Sequence, residues 1–94
     1  MNIHLNSFRM AYTDAGHGIP LLFIHGYPLS RQLWQPQVDG LADVARILAP
    51  DLRGHGDSIA TPPPYPMELL ADDLNAFLDG LGITQPVVIC GLSI

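Results

Sequence analysis

The chain has 94 residues, 48% apolar and 14% charged, and its net charge of −5 comes from nine acidic residues against four arginines and no lysine. Such a composition excludes an intrinsically disordered chain, and the acidic balance leaves no basic patch for a nucleic-acid backbone or an anionic membrane surface. At this length folding hides only about 60 to 65% of the surface exposed by the unfolded chain, so an independent domain has little stability in reserve.

Residues 2–6 and 8–13 alternate apolar and polar side chains, the pattern of two half-buried antiparallel strands joined by a turn at Asn6-Ser7, with residues 14–18 closing the second. Residues 20–24, Pro-Leu-Leu-Phe-Ile, form an unbroken apolar run between Gly18 and His25-Gly26, as expected of a central strand covered on both faces. From Ser30, an N-cap residue, the spacing of Leu33, Trp34, Val38, Leu41 and Ala42 turns helical, and Pro36 interrupts and restarts the helix in its first turn. Residues 45–50 read as another buried strand that runs into the glycine-rich loop Asp51-Leu52-Arg53-Gly54-His55-Gly56-Asp57-Ser58. The clearest helix begins at Pro66: Leu69, Leu70, Leu74, Phe77, Leu78 and Leu81 make one apolar stripe, Asp72, Asp73 and Asp79 are expected to point elsewhere, and Gly80 or Gly82 ends it. Residues 85–90 read as a last buried strand.

Alternating strands and helices, with strands that lack a polar face, predict an α/β fold. The expected sheet is mostly parallel, built by crossover helices, with an antiparallel amino-terminal hairpin. Chemistry in such sheets gathers at the carboxyl ends of the strands. Here those ends carry His25-Gly26-Tyr27-Pro28, the 51–58 loop, and Gly91-Leu92-Ser93. No repeat or linker divides the chain; Pro62-Pro63-Pro64-Tyr65-Pro66 reads as a stiff loop within one domain, residues 1–94.

Apolar runs at 19–24 and 86–90 are too short to span a bilayer, and the amino terminus lacks the pattern of a signal peptide, so a cytoplasmic location is expected. The single Cys90, after Val87-Val88-Ile89, reads as a buried structural thiol.

Gly91-Leu92-Ser93-Ile94 supplies the first four residues of a G-x-S-x-G nucleophile elbow, directly after an apolar strand as that motif requires. A sharp strand-to-helix bend lifts the serine hydroxyl clear of the sheet, and a small neighbour such as Gly91 is needed because backbones approach closely there. The ordered set HGYP, DLRGHGDS and VVICGLS resembles the α/β-hydrolase superfamily of the serine-nucleophile type, small carboxylesterases, enol-lactonases and cofactor-free haloperoxidase-like enzymes above all. The resemblance covers essentially the whole chain, as the first five strands of the family fold.

It implies the following roles. Ser93 is the nucleophile, and the backbone N–H groups of Tyr27 and Ile94 bind the oxyanion. His25, Gly26 and Gly91 support these groups, Pro28 matches the proline of the turn, and residues 54–58 match the loop beside the active site. Tyr27, Trp34 and Leu92 border the substrate pocket, although Trp34 also reads as a core residue. Members with an HGxP turn often use an aspartate nucleophile, as epoxide hydrolases and haloalkane dehalogenases do; serine at position 93 argues for acyl chemistry on an ester or lactone, with no cofactor.

A serine needs a base and an orienting carboxylate, which this superfamily orders along the chain as Ser, then Asp or Glu, then His. Nothing follows Ile94 in the sequence, so the chain alone is expected not to turn over. His25 and His55 precede the serine and read as structural, bonding to loop backbone; His4 and His17 read as surface residues. Four scattered histidines offer no metal site. Asp51, Asp57 and Arg53 are expected in ion pairs or loop hydrogen bonds.

Two readings stay open. In one the chain is part of an esterase or lactonase whose carboxyl-terminal half arrives on another polypeptide; in the other it is a non-catalytic half-domain, engineered or naturally truncated, that folds by self-association or with a partner. Both need a partner, because the Val-Val-Ile-Cys strand would otherwise expose a hydrophobic edge.

Overall fold

The computed structural model describes residues 1–5, 8–26, 29–58 and 65–91. Its frame is a five-stranded sheet in the order β1-β2-β4-β3-β5, where β1 is Asn2–His4, β2 Arg9–Ala15, β3 Pro20–Ile24, β4 Arg46–Pro50 and β5 Val88–Gly91. Between β3 and β4 a 3-10 turn, Arg31–Trp34, runs into helix α1, Gln35–Leu41; helix α2, Met67–Gly80, connects β4 to β5. The hairpin, the apolar strand at 20–24 and both helices stand where the spacing of apolar residues puts them. Pro36 enters α1 in its first turn, where no helical N–H bond is lost, and Ser30 Oγ accepts from Gln32 N at 3.4 Å.

The sheet is mixed, which corrects the expectation of a mostly parallel one. β1 and β4 both run antiparallel to β2, whereas β3 is parallel to β4 and to β5. The cause is the insertion of β4 between β2 and β3. After β2 the chain reverses at Gly16, whose φ is +81° and whose added Cβ would lie 2.2 Å from the Ala45 carbonyl oxygen, so only glycine fits. β4 then fills the gap, and Arg46 forks onto Asp14 of β2 at 3.0 and 2.8 Å.

Period-two alternation divides the core into two layers. Leu22, Ile24 and Leu48 pack with Phe8, Met10, Tyr12 and Phe77 on the α2 face. Phe23, Ile47 and Ala49 pack with Val38, Trp34 and Leu41 on the α1 face. Tyr12 meets the Phe77 ring edge-on at 5.2 Å, a favourable aromatic geometry.

Two further expectations are corrected. The last strand is not buried: Val88 is 50% and Ile89 61% exposed, because β5 hydrogen-bonds only to β3 among the described strands. Cys90 is accordingly half-buried, packed beside the Phe23 cluster. Asp73 does not face solvent with Asp72 and Asp79; it is buried on α2, facing the loop after β4, where Arg53 claims it. No helix among the described residues is long and apolar enough to cross a membrane.

Candidate active site

Because β3, β4 and β5 are mutually parallel, their carboxyl ends lie at one edge of the sheet. The register is explicit: Leu22 stands opposite Leu48, and Ile24 opposite Gly91. His25 and Gly26, the 51–58 loop and the Gly91 end of β5 therefore share that edge. Of the expected site residues, His25, Gly26 and Gly91 meet there. Tyr27, Pro28, Leu92, Ser93 and Ile94 lie outside the described residues.

His25 is fully buried and joins two strand ends. Leu52 N donates to Nε2 at 2.9 Å, which makes Nε2 the acceptor and leaves the ring proton on Nδ1, 3.0 Å from the Gly26 carbonyl oxygen. The ring is thus neutral and structural. Burial pushes its pKa below the ordinary 6.5 and His55, whose ring lies 5.1 Å away, lowers it further, while the Gly26 hydrogen bond and Asp51 oppose the shift.

The sign for stability follows from linkage. Above pH 6.5 neither state binds the proton, and as pH falls below that value the unfolded chain takes it up first. The contribution of His25 is therefore complete at pH 7 and is lost as pH falls through its folded value. Urea melts from pH 7.5 to 5 are expected to show this decline, and His25→Gln, whose amide oxygen can still accept from Leu52, is expected to flatten it. An unchanged slope in that variant would assign the decline to other groups.

Asp51, at the end of β4, has no solvent exposure. Its carboxylate accepts from Arg31 N at 2.6 Å and from Asp57 N at 2.9 Å, and it pairs with the Arg31 guanidinium, which also reaches Asp57 at 3.3 Å. Gly56 explains how the loop wraps so closely: its φ is +51°, and a Cβ there would stand 2.4 Å from the Asp51 carboxyl carbon. Ser58 closes the loop, its hydroxyl donating to Asp51 O at 2.6 Å and accepting from Ala11 N at 2.9 Å. His55 contacts its own loop, Nδ1 lying 3.0 Å from Arg53 O.

Arg53 turns away from this edge toward α2. It forks onto Asp73 at 2.9 and 2.7 Å and lies 4.3 Å over the Phe8 ring. The pair holds the Arg53 pKa above its already high ordinary value. Trp34 packs against Phe23 on the α1 face, the rings 4.8 Å apart and tilted by 47°. Among the described residues no three His, Cys, Asp or Glu side chains gather into a metal site. Beside β5, a groove of about 410 Å³ runs along α2, lined mainly by Leu22, Ile24, Ala71, Leu74, Leu78 and Ile89.

Sequence reasoning expected ion pairs for Asp51 and Arg53 but did not find their partners, Arg31 and Asp73. Each pair is separated by 20 residues, so no local spacing signals it. With only four arginines in the chain, each was worth asking for a carboxylate partner.

Comparison with known proteins agrees with this geometry. The α/β hydrolase fold family model matches residues 19–94. A soluble epoxide hydrolase from a Corynebacterium species is 36% identical over 85 residues, covering 90% of this chain and 30% of that protein. Among solved structures, a thermophilic esterase from Thermogutta terrifontis is 39% identical with a TM-score of 0.92, covering 99% of this chain and 36% of its own. The enol-lactonase from Burkholderia xenovorans is 30% identical with a TM-score of 0.92, over 99% and 37%. The chain thus spans little more than a third of these proteins at most. With a mixed sheet that gathers three parallel strand ends at one edge, and a family model matched from residue 19 to residue 94, the chain belongs to the α/β hydrolase fold family.

Proposed function

We propose that this chain is the amino-terminal, nucleophile-bearing portion of a serine hydrolase acting on carboxylic esters or lactones. The observation that carries this reading is the pairing of Ile24 with Gly91, which sets the Gly26 turn beside the strand that leads to Ser93. In the proposed mechanism the Ser93 hydroxyl attacks the substrate carbonyl, and the developing oxyanion accepts hydrogen bonds from the Tyr27 and Ile94 amides. The base takes the Ser93 proton and returns it to the departing alkoxide, which leaves as the alcohol of an ester or stays tethered as the new hydroxyl of an opened lactone. Water then hydrolyses the acyl-serine, giving the acid and the free serine hydroxyl. Each oxyanion donor contributes about 3 kcal/mol of transition-state stabilisation in enzymes of this kind.

Serine at position 93 favours acyl transfer, the chemistry named for the esterase and enol-lactonase, over the epoxide opening named for the third relative. The base and its carboxylate are not among these 94 residues, so the chain alone is inactive. In this reading they belong to the remainder of the fold. Exposed Val88 and Ile89 and the apolar groove beside them support further structure of the fold packing against β5. Low cysteine use suits a cytoplasmic setting.

The test is labelling by a fluorophosphonate probe followed by peptide mass spectrometry. The chain alone is expected to label at background. With a polypeptide carrying the rest of the fold it is expected to label at Ser93, and S93A is expected to abolish the adduct. Labelling that survives S93A would contradict the reading. A second reading, self-association of a non-catalytic half-domain, draws on the same β5 edge, which has no second neighbour among the described strands; it requires a stable oligomer that stays unlabelled when the rest of the fold is supplied.

A further inference from the structure

The turn that leaves β3 is gripped at both ends by neighbouring residues of one other loop. At its upstream end Leu52 N donates to His25 Nε2 at 2.9 Å. Downstream, Arg31 N donates to Asp51 Oδ1 at 2.6 Å and the Arg31 guanidinium pairs with the same carboxylate. Within the turn, Leu29 N closes onto Gly26 O at 2.8 Å, the carbonyl that also faces His25 Nδ1. Asp51 is itself fixed from behind, by Asp57 N on its carboxylate and by the Ser58 hydroxyl on its carbonyl.

We propose that Asp51, acting through Arg31, is a positioning residue for the segment that leaves β3, so that the loop after β4 holds the Leu29 N to Gly26 O closure in place. A short loop has several accessible shapes when free; fixing it at two anchors leaves few. An oxyanion site needs that restriction, since its donors must be aimed before charge develops. Asp51 suits the task because a buried carboxylate that accepts three donors cannot shift without losing charge-assisted bonds. Arg31 adds reach: its side chain is 19% exposed, and it spans Asp51 and Asp57, the beginning and the far side of the loop.

This inference rests on the proposed role of position 27 for its functional meaning but is tested without any chemistry. In the ¹⁵N-labelled chain, amide hydrogen exchange is compared among the parent, R31Q, R31K and D51N. R31Q trims a partly exposed side chain, so the fold is kept even if D51N weakens it. The expected result for R31Q is a loss of protection at the Leu29 amide of about tenfold, with a shift of the Tyr27 amide resonance, while Leu48 in β4 keeps its protection. R31K is expected to restore part of the effect and D51N to exceed R31Q at both amides.

Two outcomes overturn the proposal. Unchanged Leu29 protection in R31Q and D51N would show that the turn holds its own shape, and a parallel fall at Leu29 and Leu48 would show that the network only stabilises the whole domain. Neither touches the serine hydrolase reading, which stands or falls on labelling of Ser93.

Discussion

Replacing Asp73 by alanine is expected to destabilise the chain by about 3 kcal/mol or more, against a total on the order of 5 to 15 kcal/mol for a domain of this size. Both side chains of the Arg53–Asp73 pair are about nine-tenths or more buried, at 6% and 7% exposure, and two hydrogen bonds join them in parallel. Each compensates part of the other's removal from water. Truncating the acid leaves the guanidinium, wedged over Phe8, without its fork-to-fork partner and links α2 less firmly to the loop after β4. Urea titration followed by tryptophan fluorescence measures the loss. The double replacement R53M/D73L is expected to recover most of it, since an apolar pair of similar volume has no charge to desolvate. If D73A alone changed stability by less than about 1 kcal/mol, the pair would be behaving like an exposed one.

Gly56→Ala is expected to cost about 3 kcal/mol, and for two separable reasons. A φ of +51° carries roughly 1 to 2 kcal/mol of strain for a residue with a Cβ. The rest comes from contact: the new methyl would stand 2.4 Å from the Asp51 carboxyl carbon, so the buried carboxylate must shift from the Asp57 amide, or the loop must open. Gly40→Ala is the matched control. Nothing lies within 4 Å of a Cβ at that helical position, so the same chemical change is expected to raise stability by about 0.5 to 1 kcal/mol. Opposite signs at the two glycines, measured in one set of urea melts, would separate the local causes at Gly56, its left-handed backbone and the Asp51 contact together, from any general effect of removing glycine.

Much of the fold was legible because local patterns and tertiary packing agree. The unbroken apolar run at 20–24 reads as a covered strand, and it is one. Pro36 carried its own instruction, a helix entry, and α1 begins beside it. The α2 stripe was right for Phe77, Leu74 and Leu78, which pack on the sheet. What failed was whatever depends on a distant neighbour. Asp73 lies one position from Leu74 and looked like part of a solvated face; it turns inward only because Arg53 waits there. The run at 85–90 looks as buried as 20–24, yet a strand's burial depends on what lies beside it, and β5 has a single neighbour among the described strands. The parallel count failed likewise, since nothing in residues 45–50 says that β4 will enter between β2 and β3.

The candidate site was legible in part for the same reason. His25, Gly26 and Gly91 follow apolar strands, and the order of strands in the sheet brings them to one edge. The structural reading of His25 agrees with its bond to Leu52 N. Arg31 was invisible: it follows Ser30, an evident N-cap, and its bond to Asp51 crosses from one loop to another.

The placement of residue 93 can be measured in the chain as it stands. A nitroxide attached at S93C, with Cys90 changed to serine so that only one thiol reacts, broadens the amide signals nearest to it. The account expects the strongest broadening at His25, Gly26 and His55, and little at Gly18 and Val44 by the opposite end of the strands. Strong broadening at Gly18 with sharp signals at Gly26 would contradict it, and the proposed nucleophile would then have no oxyanion turn to serve it.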